Sequence, residues 1–481
     1  MENLKKFIYE HKMTLTISVI CVIVAALVAA LIFVLVSQES KTTLKNNSSS
    51  QVISDGESTL SDNMSASSEG ESDMSSQESN VENSSVNSAD KSSGTTSTGN
   101  NNSASSNKTS STGGNNQTPS TKYMEYTKYN LDTYLTPVWK NKVVYNESIM
   151  FFPNAKTKEY DPAPLLYTPT KVLSVRSSDL KTEFKEGVDY VVENGKIKLT
   201  KNSSIYKWDY NDYYLQNPAS VPIGSVRAPG RYIRYASGNE YAEMQLAVTY
   251  EHNGSWSGAV PKYAGSTLKN TISKLKGKKA LNIVYYGDSI MTGCEATATH
   301  NMDPFMPIFT EMITAKLKKT YNYNNINQFN TAVGGWTVND GVADVHARVT
   351  EHNPDLVVIG FGMNIPSKDS SVAKYEESIR NMIKDVRAKN PNAEFILVST
   401  TLPNPDCNGW TSLQPVYKTA LESIAKDTTG VALVPMTDIH QYLLTKKRYD
   451  DMNGNGVNHP NDFLARIYGQ AIAQCLIENL G

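Results

Sequence analysis

Cysteine is scarce, with four in 481 residues. Cys21 lies inside an apolar run. Cys294, Cys407 and Cys475 form an odd set without metal-ligand spacing, which excludes a disulfide scaffold and a zinc module and leaves room for one bond at most. Charge of one sign is also lacking. The formal net charge is -2, so nothing favours a nucleic-acid partner. From Gln38 to Thr121 there is no aromatic residue at all. That stretch is Ser, Asn, Thr and Gly with scattered acids. It cannot bury enough apolar surface to offset its chain entropy and is expected to be disordered. As a flexible tether it would span roughly 50 Å. Basic residues are missing from Met13 to Ser40, whereas Lys5, Lys6 and Lys12 precede that gap.

The gap coincides with "MTLTISVICVIVAALVAALIFVLVS", Met13 to Ser37. An unbroken apolar run of this length can cross ~30 Å of hydrocarbon as a helix. It exceeds the ~7–15 residues of a signal-peptide apolar region, and "VSQES" is a poor cleavage site. The charge asymmetry places the N-terminus inside the cell and the remainder outside. The expected organisation is a cytoplasmic tail (1–12), a single transmembrane helix (13–37), a linker (38–121), a β-rich domain (122–262) and an α/β domain (263–481).

The β-rich part carries "DYVVENGKIKLT", in which Asn194-Gly195 marks a type I′ hairpin. "YAEMQLAVTYEH" reads as another strand, and Pro and Gly punctuate the segment. A small β-sandwich fits this pattern. The aromatics of "YKWDYNDYYLQNP" either fill the core of that sandwich or stack on sugar rings, and core filling is the commoner use.

From Leu281 onward, continuous apolar runs alternate with amphipathic ones. "ALNIVYY", "INQFNTAV", "PDLVVIGFG", "AEFILVSTTLP" and "VALVPM" read as strands. "PFMPIFTEMITAKLKKTY", "VNDGVADVHARVTEH", "VAKYEESIRNMIKDVRAKN", "LQPVYKTALESIAKDT" and "DFLARIYGQAIAQCLIENL" read as helices. This alternation predicts a parallel sheet with helices on both faces. Sites on such sheets lie at the carboxyl ends of the strands. Four candidates fall there. Ser289 follows the first strand in "GDSI", and Gly334 and Gly335 follow the second in "GGWT". Asn364 follows the third in "GMN", and His459 precedes the last helix in "NHP". A serine hydroxyl needs a base to become a nucleophile, and His459 can be that base. The Ser289 N–H, the Gly335 N–H and the Asn364 amide can face an oxyanion.

These four blocks resemble the SGNH (GDSL) hydrolase family over about Leu281 to Gly481, with Gly335 rather than Gly334 as the aligned glycine. The resemblance implies a flavodoxin-like α/β/α fold, a serine esterase chemistry and no cofactor or metal. The β-rich part also resembles the accessory domain of carbohydrate esterase family two. Together these imply a surface esterase that removes O-acetyl groups from polysaccharide. A lipase, a thioesterase or a non-catalytic glycan-binding protein are the alternatives. Two departures stand out. Ile365 occupies a position where many members carry Asp. More important, the family acid three residues before the histidine is replaced by Gly456. A Ser-His dyad is therefore expected, with His459 oriented by a backbone carbonyl or by a nearby Asp450, Asp451, Asp462, Asn455 or Asn458. His300 could line the cleft, while His346, His352 and His440 read as structural or solvated.

Overall fold

Tyr285 and Tyr286 are adjacent in sequence, yet they belong to different apolar cores. This is the two-residue period of a strand buried on both faces. The structure, a computed structural model, describes residues 123–481. The expected tail, membrane helix and linker lie outside the described residues. Among the described residues, no helix is long and apolar enough to cross a membrane.

Five strands form a wholly parallel sheet: Leu281–Gly287, Ile326–Asn330, Leu356–Gly360, Glu394–Val398 and Val431–Val434. Their spatial order is second, first, third, fourth, fifth, which is the flavodoxin-like doubly wound order. Leu281, Ile283 and Tyr285 face one core with Leu356 and Val358. Helices Phe309–Tyr321 and Asp462–Leu476 cover that side. Val284, Tyr286, Val357 and Ile359 face the other core. There, helices Val338–Arg348, Val372–Lys389 and Lys418–Asp427 supply the cover. A helix not expected from the sequence, Met436–Leu444, follows the last strand and buries His440.

The β-rich part contains a four-stranded antiparallel sheet, in the order Val143–Met150, Gln245–His252, Pro169–Ser177, Glu183–Phe184. A three-stranded and a two-stranded sheet accompany it. The hairpin between Tyr190–Glu193 and Lys196–Leu199 turns at Asn194 and Gly195, whose φ values are 51° and 73°. Both are positive, as a type I′ turn requires. The aromatic-rich segment mainly fills a core: Trp208, Tyr213 and Tyr214 pack with Met150, Phe152 and Tyr241. Tyr206 alone among its aromatic side chains is strongly exposed.

The seam between the β-rich and α/β parts is extensively packed. One apolar cluster holds Val144, Ile149 and Val248 together with Ile467, Ile472 and Leu476. Lys447 Nζ lies 2.6 Å from Glu147 Oε1, with both side chains fully buried. Tyr250 donates to the other oxygen of Glu147 at 2.6 Å. A buried pair satisfied in this way fixes geometry, and breaking it would strand a charge. The seam is thus able to hold loops from both parts in register around a site.

Candidate active site

Gly287 ends the first strand where a side chain is impossible, since a Cβ would lie 2.1 Å from the Gly360 carbonyl oxygen on the neighbouring strand. Asp288 then caps the turn Ser289–Thr292. Its carboxylate accepts from the Ile290 N–H at 3.0 Å and the Met363 N–H at 3.3 Å. Burial pushes its pKa up to about 6 against the pull of those two N–H groups. The second of these bonds ties the first sequence block to the third. Pairing beyond the second strand, through the Val333 N–H to the Gly287 carbonyl at 3.0 Å, brings in the second block. A Cβ on Gly334 would sit 3.9 Å from that of Ser289. Gly335 has φ +80° and open space where a Cβ would point, a conformation and clearance suited to glycine. The Asn364 side-chain nitrogen donates to the Trp336 carbonyl at 3.0 Å. That uses one of its two hydrogens and fixes the amide beside the second block. The sheet order makes this convergence possible, because the first and third strands flank the switch point.

His459 sits on a loop built by asparagines. The fully buried Asn455 accepts with Oδ1 from the N–H groups of Val457, Asn458 and His459 at 2.9, 2.9 and 3.1 Å. The Asn458 oxygen accepts from the Asn455 amide. The His459 carbonyl accepts from Gly454 N–H at 2.8 Å and Asn453 Nδ2 at 3.1 Å. On the ring, Nε2 is 3.0 Å from Ser289 Oγ, and Nδ1 is 3.1 Å from Oε1 of Glu295.

Glu295 corrects the expected Ser-His dyad. Among the described residues, no backbone carbonyl meets the His459 ring, and none of the five side chains considered does so. Asp450 is paired with Arg227 at 2.8 and 2.9 Å and accepts from Tyr213. Asp451 takes the Met150 N–H and the Arg448 guanidinium. Asp462 binds the Thr297 N–H and hydroxyl at 3.0 and 2.8 Å. Asn455 and Asn458 shape the loop backbone. The acid comes instead from the chain just beyond the serine, in "SIMTGCE". Gly293, at φ +78°, ends the short helix, and Glu295 itself adopts φ +68°. A non-glycine residue held there stores roughly 1–3 kcal/mol of backbone strain, a pattern typical of functional sites.

Glu295 is 4% exposed. Its Oε1 receives His459 and the Ser237 hydroxyl at 2.8 Å, while Oε2 receives the Gly238 N–H at 3.1 Å and His300 Nε2 at 3.0 Å. Burial pushes its pKa up, but the bonds from His459, Ser237 and Gly238 outweigh that and hold it below the ordinary glutamate range. A carboxylate only accepts, so Nδ1 of His459 carries the proton in the neutral ring. Nε2 is then a free acceptor facing the serine hydroxyl. This is the arrangement in which imidazole can take a proton from serine and the acid can stabilise the resulting imidazolium. Cys294 Sγ also lies within 4.8 Å of the Glu295 and His459 donor atoms. Burial and the neighbouring Glu295 push its thiol pKa well up, and the Glu295 oxygens are already committed to four donors. Cys294, Cys407 and Cys475 are all free.

Residues 285–467 match the family model of the GDSL-like Lipase/Acylhydrolase family. This match supports a serine ester hydrolase. Among curated proteins none matches the chain. Similar solved structures include Axe2, an acetylxylan esterase from Geobacillus stearothermophilus. It is 17% identical, with 41% of this chain and 94% of that chain covered at a TM-score of 0.35. A two-domain esterase active on acetylated mannans, co-crystallised with mannopentaose, is 22% identical. There 45% of this chain and 56% of that one are covered at a TM-score of 0.36. LAE5, an alpha/beta hydrolase enzyme from the metagenome of Lake Arreo, Spain, is 17% identical, covering 41% and 96% at a TM-score of 0.34.

The matched region brings together Ser289, Gly334, Gly335 and Asn364, read from strand ends, with His459, read from the loop before the last helix. Sequence reasoning missed Glu295, and a carboxylate in a short Gly-terminated turn after the serine was the available signal. His300, expected to line the cleft, is bonded to that carboxylate. His440 is buried and accepts the Leu402 N–H at Nδ1, and burial pushes its pKa down to about 3. His352 stacks on Phe329 at 4.4 Å, and His346 is exposed. Ile365 packs against the second core.

Proposed function

We propose that Ser289 is the nucleophile of an acyl-enzyme mechanism, with His459 as the general base and Glu295 as its orienting acid. The observation that carries this reading is the continuous line Ser289 Oγ, His459 Nε2, His459 Nδ1, Glu295 Oε1. His459 takes the serine proton as Oγ attacks the ester carbonyl, then returns it to the leaving alcohol. A water activated by the same ring releases the acid. The developing oxyanion would be met by the N–H groups of Ser289 and Gly335 and by the free hydrogen of the Asn364 amide.

The substrate we favour is an O-acetyl group on a polysaccharide outside the cell. The support comes from the sequence and from the rim of the site. An apolar run suited to a membrane anchor, followed by a long polar linker, suits a polymer better than a soluble metabolite. Partly buried Tyr235 and Trp410 pack on the cluster containing Val457, two residues before His459. The Gln414 amide bonds the carbonyls of both Met363 and Trp410, which places this rim near Asn364. Aromatic faces there could stack on sugar rings. Loss of the family acid at Gly456 was the ground for a non-catalytic reading, and Glu295 removes that ground.

The test is hydrolysis of p-nitrophenyl esters of increasing acyl length and of acetylated polysaccharide by the full chain in detergent. Acetate release with steep loss beyond short acyl chains is expected. A preference for long chains would replace the deacetylase reading with a lipase. A folded Ser289→Ala variant with unchanged rates would end the serine mechanism.

A further inference from the structure

The β-rich part touches the proposed catalytic acid directly. Ser237 and Gly238 lie in its last loop before the helical turn Asn239–Glu243. Ser237 Oγ donates to Glu295 Oε1 at 2.8 Å, the same oxygen that faces His459, and the Gly238 N–H donates to Oε2 at 3.1 Å. The chain just before Ser237 is pinned to the His459 loop, and the segment is closed on itself. The Ala236 N–H donates to the Asn455 carbonyl at 3.2 Å. The Tyr241 hydroxyl donates to the Arg234 carbonyl at 2.7 Å. These last two oxygens fill the space next to Gly456. A Cβ there would lie 2.3 Å from the Arg234 oxygen and 2.4 Å from the Tyr241 oxygen. Gly456 is also at φ +86°. The segment that excludes an acid at the family position is thus the one that holds the acid at Glu295.

We propose that segment 234–241 of the β-rich part is a working component of the catalytic centre, with Ser237 as a positioning residue that sets the basicity and aim of the Glu295 carboxylate. The proposal rests on the Ser289–His459–Glu295 reading above. The titratable groups facing Glu295 are His459 and His300 on its oxygens and Cys294 beside it in the chain. Asp462 lies across the small cavity that both carboxylates line. A donor on a carboxylate stabilises its charged form. Removing the Ser237 hydroxyl raises the proton affinity of Glu295 and makes it a stronger acceptor for His459. Both effects move the acid limb of the kcat–pH profile to higher pH. The β-rich part thereby acts on turnover, beyond any contact with a polymer.

The test uses the full chain in detergent with p-nitrophenyl acetate, comparing Ser237→Ala, Ser237→Thr and Ser289→Ala. Ser237 is an exposed residue, so its truncation leaves the fold in place. For Ser237→Ala the expected result is a kcat loss of about tenfold or more, from one charge-assisted hydrogen bond. KM stays unchanged, the acid limb moves up in pH, and Ser237→Thr regains most of the rate and the original limb. An unchanged kcat and limb in Ser237→Ala overturns the proposal, as does a kcat loss that neither shifts the limb nor recovers with Thr. If Ser289→Ala is inactive in that case, the serine-esterase reading survives alone. If Ser289→Ala keeps its activity, that reading fails and this proposal falls with it.

Discussion

Replacing Glu295 by Gln is the most discriminating perturbation, because its partners dictate which way the new amide must face. The Gly238 N–H on Oε2 is a backbone donor and cannot turn. His300 Nε2 shares that oxygen. The amide oxygen must therefore occupy the Oε2 side, which leaves the NH₂ facing His459 Nδ1 and Ser237. Ser237 can rotate its hydroxyl to accept. His459 can accommodate an N–H donor only by accepting at Nδ1, and the ring proton then moves to Nε2. That nitrogen faces Ser289 Oγ at 3.0 Å and can no longer take its proton. The geometry is nearly unchanged but the tautomer is wrong. The same exchange in a serine-protease triad costs about 10⁴ in kcat, so a loss of about 10³–10⁴ is expected here, or about 4–5.5 kcal/mol of barrier. Glu295 acts on the reaction through His459 rather than by holding substrate, so KM should hold. The assay is steady-state ester hydrolysis, with circular dichroism to check the fold. A loss under tenfold in a folded Glu295→Gln protein would refute the tautomer argument and return His459 to a dyad.

The remaining predictions concern the oxyanion site, the vacant family position, the displaced aspartates and pH. Asn364→Ala should lower kcat by about 10²–10³ with little change in KM; a change confined to KM would make Asn364 a binding residue. Gly456→Asp should destabilise the protein and should not rescue Glu295→Ala, because the Arg234 carbonyl and Tyr241 hydroxyl already occupy that space. Thermal melting with an activity assay checks both halves. Asp451→Ala should cost about 3–5 kcal/mol of stability by stranding Arg448, measured by denaturant unfolding, while any folded fraction keeps its specific activity. Glu295 has a lowered pKa, so its stabilising contribution is complete above the unfolded-state value of about 4.3 and is lost as pH falls through the lower folded value. The stability gap between wild type and Glu295→Gln should accordingly be flat near neutrality and shrink below about pH 4; a gap that widens there would contradict the assignment.

The sequence by itself determined the local pieces. Alternation of apolar runs with amphipathic ones specified strands and helices, since a strand buried on both faces carries few polar residues and a surface helix carries many. Asn194-Gly195 specified its turn, because few other residues tolerate two successive positive φ values. Ser289, Gly335 and Asn364 were visible because each follows the end of its own strand, where a parallel sheet presents its loops, and His459 because it stands in the loop just before the last helix. Only the tertiary structure decided the orienting acid. His459 and Glu295 are 164 residues apart, and Asp450, Asp451 and Asp462, nearer in sequence, are turned to other partners. Proximity along the chain says nothing about which carboxylate a ring nitrogen meets once loops from two sheets are packed together. The same packing explains Gly456. Its missing side chain reads as a loss in the sequence, whereas in space it is a consequence of the Arg234–Tyr241 segment standing where an aspartate would need to be.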